Sequence, residues 1–244
     1  MILPVARALA LLAVLLLPST ALAVVENEGS KGRGAGEVAV ERLARSGATV
    51  YCGGRHGRLV ALTFDDGPSR YTRQVVAELR RFKARGTFFL VGSRLNYYRG
   101  ALRAEAQIGA IGDHTWTHVH LRTLDAAGLR AQIGRTRAVE IGRTGRRVLL
   151  FRPPYGIRTR AADKYVRGLG MLQVLWDVAN SGAGIRPGSI VVLHDTRPEI
   201  VKLLRGILRS LRTRQLLAVT VPELLANDPP RLVRDANGLL RSAC

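Results

Sequence analysis

Leu59-Val60-Ala61-Leu62-Thr63-Phe64-Asp65-Asp66-Gly67-Pro68 is the stretch that decides the fold. Residues 59–64 form a short apolar run with the branched and aromatic content of a buried strand, and the run stops at two adjacent carboxylates followed by a Gly-Pro breaker. Both carboxylates therefore sit at a strand's carboxyl end. Neighbouring side chains leave a strand in different directions, so Asp65 and Asp66 can do different work in one pocket, one binding a metal and the other handling a proton. Taken alone, Asp-Asp-Gly is a common turn; what gives it chemistry lies further along the chain.

Beyond it the pattern is regular. Strand-like runs at 59–64, 86–91, 107–111, 148–151, 172–176, 190–193 and 217–221 alternate with helical patterns at 71–82, 96–106, 126–141, 160–167 and 199–212, whose apolar residues recur at spacings of three and four. Such alternation implies parallel strands with helical crossovers. About seven of them suggest an α/β fold, a distorted (β/α) barrel, whose chemistry gathers at the strands' carboxyl ends. Asp65-Asp66, Asp113-His114, Arg152-Pro153-Pro154-Tyr155 and His194-Asp195 all lie at such ends. That coincidence marks an active site.

The chain has 244 residues, 47% of them hydrophobic, enough for one good core. Residues 1–23 have a signal-peptide pattern: Arg7, an apolar stretch over 8–17, then Ala21-Leu22-Ala23 as a cleavage site, which implies export to the cell envelope or beyond with no transmembrane span in the mature chain. Residues 24–57 read as an exposed leader in which only 48–51 is strand-like, 58–226 as the catalytic domain, and 227–244 as an irregular tail. Cys52 and Cys244 are the only cysteines. In an oxidising compartment they are free to pair, although two free thiols fit the sequence equally well. A formal charge of +20 favours polyanions, which for an exported protein means wall polymers and membrane head groups. With 5% aromatic residues and no helix-turn-helix or zinc-finger pattern, specific nucleic-acid binding is not expected.

His114-Thr115-Trp116-Thr117-His118 places two imidazoles four apart, which a helical turn would set on one face within reach of one ion. Two histidines and one carboxylate leave a position for water, whose pKa a bound Zn²⁺ lowers towards neutrality. Asp65 then stands by as the base. His120 and His56 read as surface residues. The prolines after Arg152 stiffen the backbone, which suits an amide aimed at an oxyanion, while Arg152 orients a carboxylate; His194 is placed to protonate a leaving amine. No Gly-x-Ser-x-Gly elbow supports a covalent serine mechanism.

In this order the motifs resemble those of the NodB-type polysaccharide deacetylases, carbohydrate esterase family 4, over residues 59–225. Residues 63–68 look like the first motif, 114–118 the second, 152–155 the third, 193–195 the fifth and 219–225 the closing segment. The resemblance implies that Asp65 is the catalytic base and that Asp66, His114 and His118 hold the metal. That metal is usually zinc, although such ligands also accept Co²⁺, Ni²⁺ or Mn²⁺. It further implies that His194 is the catalytic acid, that Leu193 lines the acetyl-methyl pocket, and that Arg152, Pro153 and the Tyr155 amide serve substrate and oxyanion. The fourth motif departs from the family: residues 176–188 lack its Asp-Trp pair and about one helix. Arg152 thereby loses the partner the family leads one to expect, with Asp177 the only nearby substitute. The implied activity is removal of N-acetyl groups from a polysaccharide, peptidoglycan above all. A weakened wall-binding protein of the same fold, or an O-acetyl esterase on xylan, are the alternatives.

Overall fold

The computed structural model describes residues 34–180 and 182–244. The signal-peptide reading of 1–23, like the start of the leader, falls outside them. In chain order the elements are α1 (Ala35–Ser46), β1 (Thr49–Val50), β2 (Leu59–Gly67), α2 (Thr72–Arg81), β3 (Gly86–Leu90), α3 (Arg99–Ile108), β4 (Gly109–Asp113), α4 (Ala126–Leu129), α5 (Arg135–Thr144) and β5 (Leu150–Phe151). There follow α6 (Arg160–Gly168), β6 (Leu172–Val174), β7 (Val178–Ala179), β8 (Ile190–His194), α7 (Ile200–Thr213), β9 (Leu217–Val219), α8 (Val221–Asn227), β10 (Leu232–Arg234) and β11 (Leu240–Ser242).

The sheet runs β10-β11-β1-β6-β5-β4-β3-β2-β8-β7, with β9 also on β2. Its strands pair in parallel except β10 with β11, and it curls into a half-barrel, so the α/β barrel-like reading holds. β2 lies between β3, β8 and β9. Its residues alternate as a doubly buried strand must: Val60, Leu62 and Phe64 face the helices and stack Phe64 on Phe88, while Ala61 faces the barrel interior with Phe89, Leu172, Val174 and Ile190. Helices α1 and α8 plug that interior at the strands' amino ends, through Val40 and Leu43 of one and Leu224 and Leu225 of the other. Across the gap, Cys52 bridges to Ser189 and the Gly53 amide donates to the Gly188 carbonyl. Gly188 has φ 79°, and a Cβ there would sit 1.6 Å from the Gly54 oxygen, so this seam closes only around glycine.

Several sequence expectations change. The leader is not exposed throughout: from Ala35 it forms α1, whose Ala39, Val40, Leu43 and Ala44 make a buried stripe. Its polar composition hides that stripe. Nor is the tail irregular, since β10 and β11 form a hairpin around Asp235, whose carboxylate accepts from the Asn237 and Leu239 amides, and β11 adds in parallel to β1. Cys52 and Cys244 are disulfide-bonded, which ties this hairpin to the first strand. The strand placed at 107–111 starts at Gly109, because α3 continues through Ile108. The strand placed at 217–221 stops at Val219, where Thr220 and Glu223 form a reciprocal cap that starts α8. The helix over 126–141 contains a π-helical stretch, Arg130–Gly134. No described helix is long and apolar enough to cross a membrane.

Candidate metal-dependent active site

Strand register assembles the site. Asp65 is paired with His194 across β2 and β8, Leu90 with Asp113 across β3 and β4, and Asp113 with Phe151 across β4 and β5. The residues that follow these levels therefore emerge together at one rim of the half-barrel. At Asp65 and Asp66 the chain stops alternating: the β2–β3 register slips between Asp65 and Gly67, and Asp66 takes φ 68°. This bulge turns Asp66 towards the histidines while Asp65 stays under the rim, 3% exposed. The left-handed backbone suits aspartate, whose short polar side chain tolerates it better than most.

His114 and His118 do meet, but not on a helix. Thr115 and His118 have φ 69° and 57°, so the segment coils back on itself and brings the two rings to a centroid distance of 5.0 Å. The Thr115 amide donates to Asp113, and the Trp116 and Thr117 amides donate to the side-chain oxygen of Gln132, which lies on the π-helical stretch. Gln132 thus holds the loop that carries the two histidines, a role the sequence alone did not reveal. Asp66 Oδ1 lies 3.5 Å from His114 Nε2 and 3.1 Å from His118 Nε2. His114 Nδ1 donates to the Arg152 carbonyl at 2.7 Å, which leaves Nε2 with its lone pair facing Asp66. Burial alone would raise the Asp66 carboxyl, but the two imidazoles beside it outweigh burial and hold it well below the usual carboxylate range. Asp66 Oδ1 is itself buried and accepts no hydrogen bond. A converging, unsatisfied oxygen beside two imidazole nitrogens is what a divalent cation fits, and the ligand atoms all lie within 4.8 Å of one another.

Arg152 is not short of a partner. Fully buried, it donates from Nη1 to Asp65 Oδ1 at 2.6 Å and to the Thr63 hydroxyl at 2.7 Å, and from Nε and Nη2 to the carbonyls of Val174 and Leu175. The expectation that Asp177 would stand in is overturned. Asp177 accepts from Arg55, Ser189 and the Ile190 amide, a seam contact away from the guanidinium. Leu193 is also misplaced: strand alternation sends it into the core with Phe64 and Val191, opposite to His194, and it is Val192 that shares His194's face. His194 Nδ1 is hydrogen-bonded at 2.9 Å to Asn180 Oδ1, and Asn180 is held at φ 47° with its amide on the Val192 carbonyl. Asn180 lies within the divergent fourth motif, where only the fold could show which residue reaches the histidine. Tyr155, at φ 60° after buried Pro153 and Pro154, stacks on His120 at 4.0 Å and meets the His118 ring edge-on. His120 is exposed, as its place in the sequence suggested, and its ring lies on Tyr155 at the outer edge of the site.

Asp195 secures the rim from below. Its carboxylate accepts from the Thr72 hydroxyl and its carbonyl from Ser69, which binds the end of β8 to the start of α2. Burial first, then the charge of Asp66, push its carboxyl up to about 7 against the pull of Thr72.

Known proteins share this sequence and fold. A family model described as polysaccharide deacetylase matches residues 53–174. The peptidoglycan-N-acetylglucosamine deacetylase of Bacillus cereus is 33% identical over 189 residues, 69% of this chain and 88% of that protein. The peptidoglycan-N-acetylglucosamine deacetylase PgdA of Listeria monocytogenes is 31% identical over 179 residues, 68% of this chain but only 38% of the longer relative. Among solved structures, the Bc1960 peptidoglycan N-acetylglucosamine deacetylase superposes with a TM-score of 0.68 at 27% identity, covering 76% of this chain and 94% of that one. The ordered motifs thus converge on one rim in a chain that belongs to the polysaccharide deacetylase family.

Proposed function

We propose that the protein is an exported, zinc-dependent hydrolase that removes N-acetyl groups from N-acetylhexosamine units of peptidoglycan, with residues 1–23 as its export signal. The observation that carries this reading is the Asp65–Arg152 pair beside the Asp66, His114 and His118 cluster. It sets a buried carboxylate, held by a guanidinium, where a water would be activated. The relatives' names supply the polymer, and the wall location follows from it.

Asp66, His114 and His118 would hold the ion, which when bound polarises the acyl oxygen and acidifies the attacking water. Asp65 takes the proton from that water, and Arg152 points its carboxylate by a charge-assisted hydrogen bond. The Tyr155 amide, in the first turn after two prolines where no helical carbonyl precedes it, donates to the developing oxyanion. With a proton on each ring nitrogen, His194 gives the one on Nε2 to the departing amine, while its Nδ1–H stays on Asn180 Oδ1, which orients the ring. Val192 takes over the methyl-facing position expected of Leu193. Co²⁺, Ni²⁺ and Mn²⁺ suit the same ligands.

The test is acetate release from purified peptidoglycan and from N-acetylglucosamine oligomers, with metal-stripped protein, with zinc restored, and with Asp65→Asn. Zinc-restored release that Asp65→Asn loses while still binding zinc supports the deacetylase. Absence of release from every substrate by zinc-loaded protein sinks it in favour of a wall-binding role.

A further inference from the structure

A second concave site lies beside α6, away from the metal ligands. It is a cavity of about 320 Å³ between the end of α1, β1, β6 and α6, and it contains none of Asp65, Asp66, His114, His118 or His194. Its chemistry is two-sided. At the base, Gln173 is 6% exposed, and its Nε2 donates to Asp163, yet its Oε1 is buried and accepts nothing. The charge of Asp163 is already matched by Arg158 at 2.7 Å. Along the mouth stand Arg160, Lys164 and Arg167, spaced by four and three so that α6 presents them as one stripe. Among the described residues none of the three has a carboxylate partner. Three like charges on one helix face repel, an arrangement that an anion between them relieves. Met171 adds an apolar surface.

We infer that this cavity binds a carboxylate-bearing sugar unit of the polymer, with the carboxylate on Arg160, Lys164 and Arg167 and a hydroxyl or amide N–H donating to Gln173 Oε1. The inference rests on the reading of the substrate as a wall polysaccharide and adds to it an anchoring subsite separate from the metal centre. Size fits one hexose ring. The buried acceptor decides between anions: a phosphodiester brings no hydrogen-bond donor and leaves Gln173 Oε1 unmatched, whereas an acidic sugar supplies charge and donor together.

The experiment is titration of the isotope-labelled protein with N-acetylmuramic acid, N-acetylglucosamine and dimethyl phosphate as the phosphodiester, read by NMR shifts of the Gln173 side-chain amide and by calorimetry. N-acetylmuramic acid should bind at least tenfold more tightly than either of the others and shift the Gln173 amide. The exposed double variant Arg160→Gln/Lys164→Gln should weaken it at least tenfold. Equal affinity for N-acetylglucosamine, dimethyl phosphate binding as tightly as the acidic sugar, or an unchanged affinity in the double variant would each overturn the inference. The readout is binding without turnover: loss of this result leaves the deacetylase reading standing, and failure of the acetate assay leaves this result standing.

Discussion

Arg152 offers the sharpest test of how the site is held together. Its guanidinium is fully buried and satisfies Asp65, Thr63 and two backbone carbonyls. Arg152→Met fills much of the same volume but strands the Asp65 carboxylate, 3% exposed, in a site from which its counter-charge has gone. Breaking one side of a buried ion pair costs about 3–5 kcal/mol. Each carbonyl left without a donor adds about 1–3 kcal/mol before water enters. Against a domain stability of about 5–15 kcal/mol, the variant should be marginally folded. Its acetate release should fall towards the level of Asp65→Asn, because the carboxylate loses the guanidinium that points it. The double variant Arg152→Met/Asp65→Asn removes the stranded charge as well, so urea denaturation of the four proteins should give a coupling of about 2–3 kcal/mol. Losses that add to within about 0.5 kcal/mol would refute the direct pairing, as would Arg152→Met releasing acetate at the unaltered rate.

Three further outcomes follow from the same contacts. Asn180→Gly keeps the left-handed backbone but removes the acceptor for His194 Nδ1, and should lower kcat about tenfold with KM unchanged, the value of one hydrogen bond, while Asn180→Asp keeps most of kcat; equal rates for all three proteins would show that the contact orients nothing. In metal-free protein, Asp195 holds its proton up to about pH 7 when folded but only to about pH 4 when unfolded, so it makes stability fall as pH rises through that interval, by about 1.4 kcal/mol per pH unit at most. Asp195→Asn should flatten that slope in urea titrations, with a remainder from Glu105, Asp113 and Glu140, whose carboxyls burial also raises; an unaltered slope would contradict the assignment. Cys244→Ser opens a link between residues 192 apart and should cost about 2–5 kcal/mol in denaturation experiments, and a cost below about 1 kcal/mol would mean the hairpin is held without it.

By itself the sequence determined the alternation of strands and helices, and it put Asp65, Asp66, His114, Arg152 and His194 near strand ends. Burial on both faces of a strand and the breakers after it are local signals, carried by residues within a few positions of one another. It also carried the stripe of α1 and the hairpin turn at Asp235, which polar composition obscured. Other features belong to the tertiary structure alone. Register between strands far apart in sequence decides that Asp65 and His194 share a level, and strand alternation decides that Val192 rather than Leu193 faces with His194. The bulge at Asp66 and the left-handed turns at Thr115 and His118 bring Asp66 and the two histidines together without a helix, since the conformation depends on Gln132 and Asp113 holding the loop. The partner of Arg152 is Asp65, and Asn180 reaches His194, because the curled sheet lays β2 between β8 and β3 and carries the end of β5 to its inner face. Sequence spacing cannot rank such partners. A buried charge takes whichever opposite charge the packing brings nearest, and packing is a property of the whole chain.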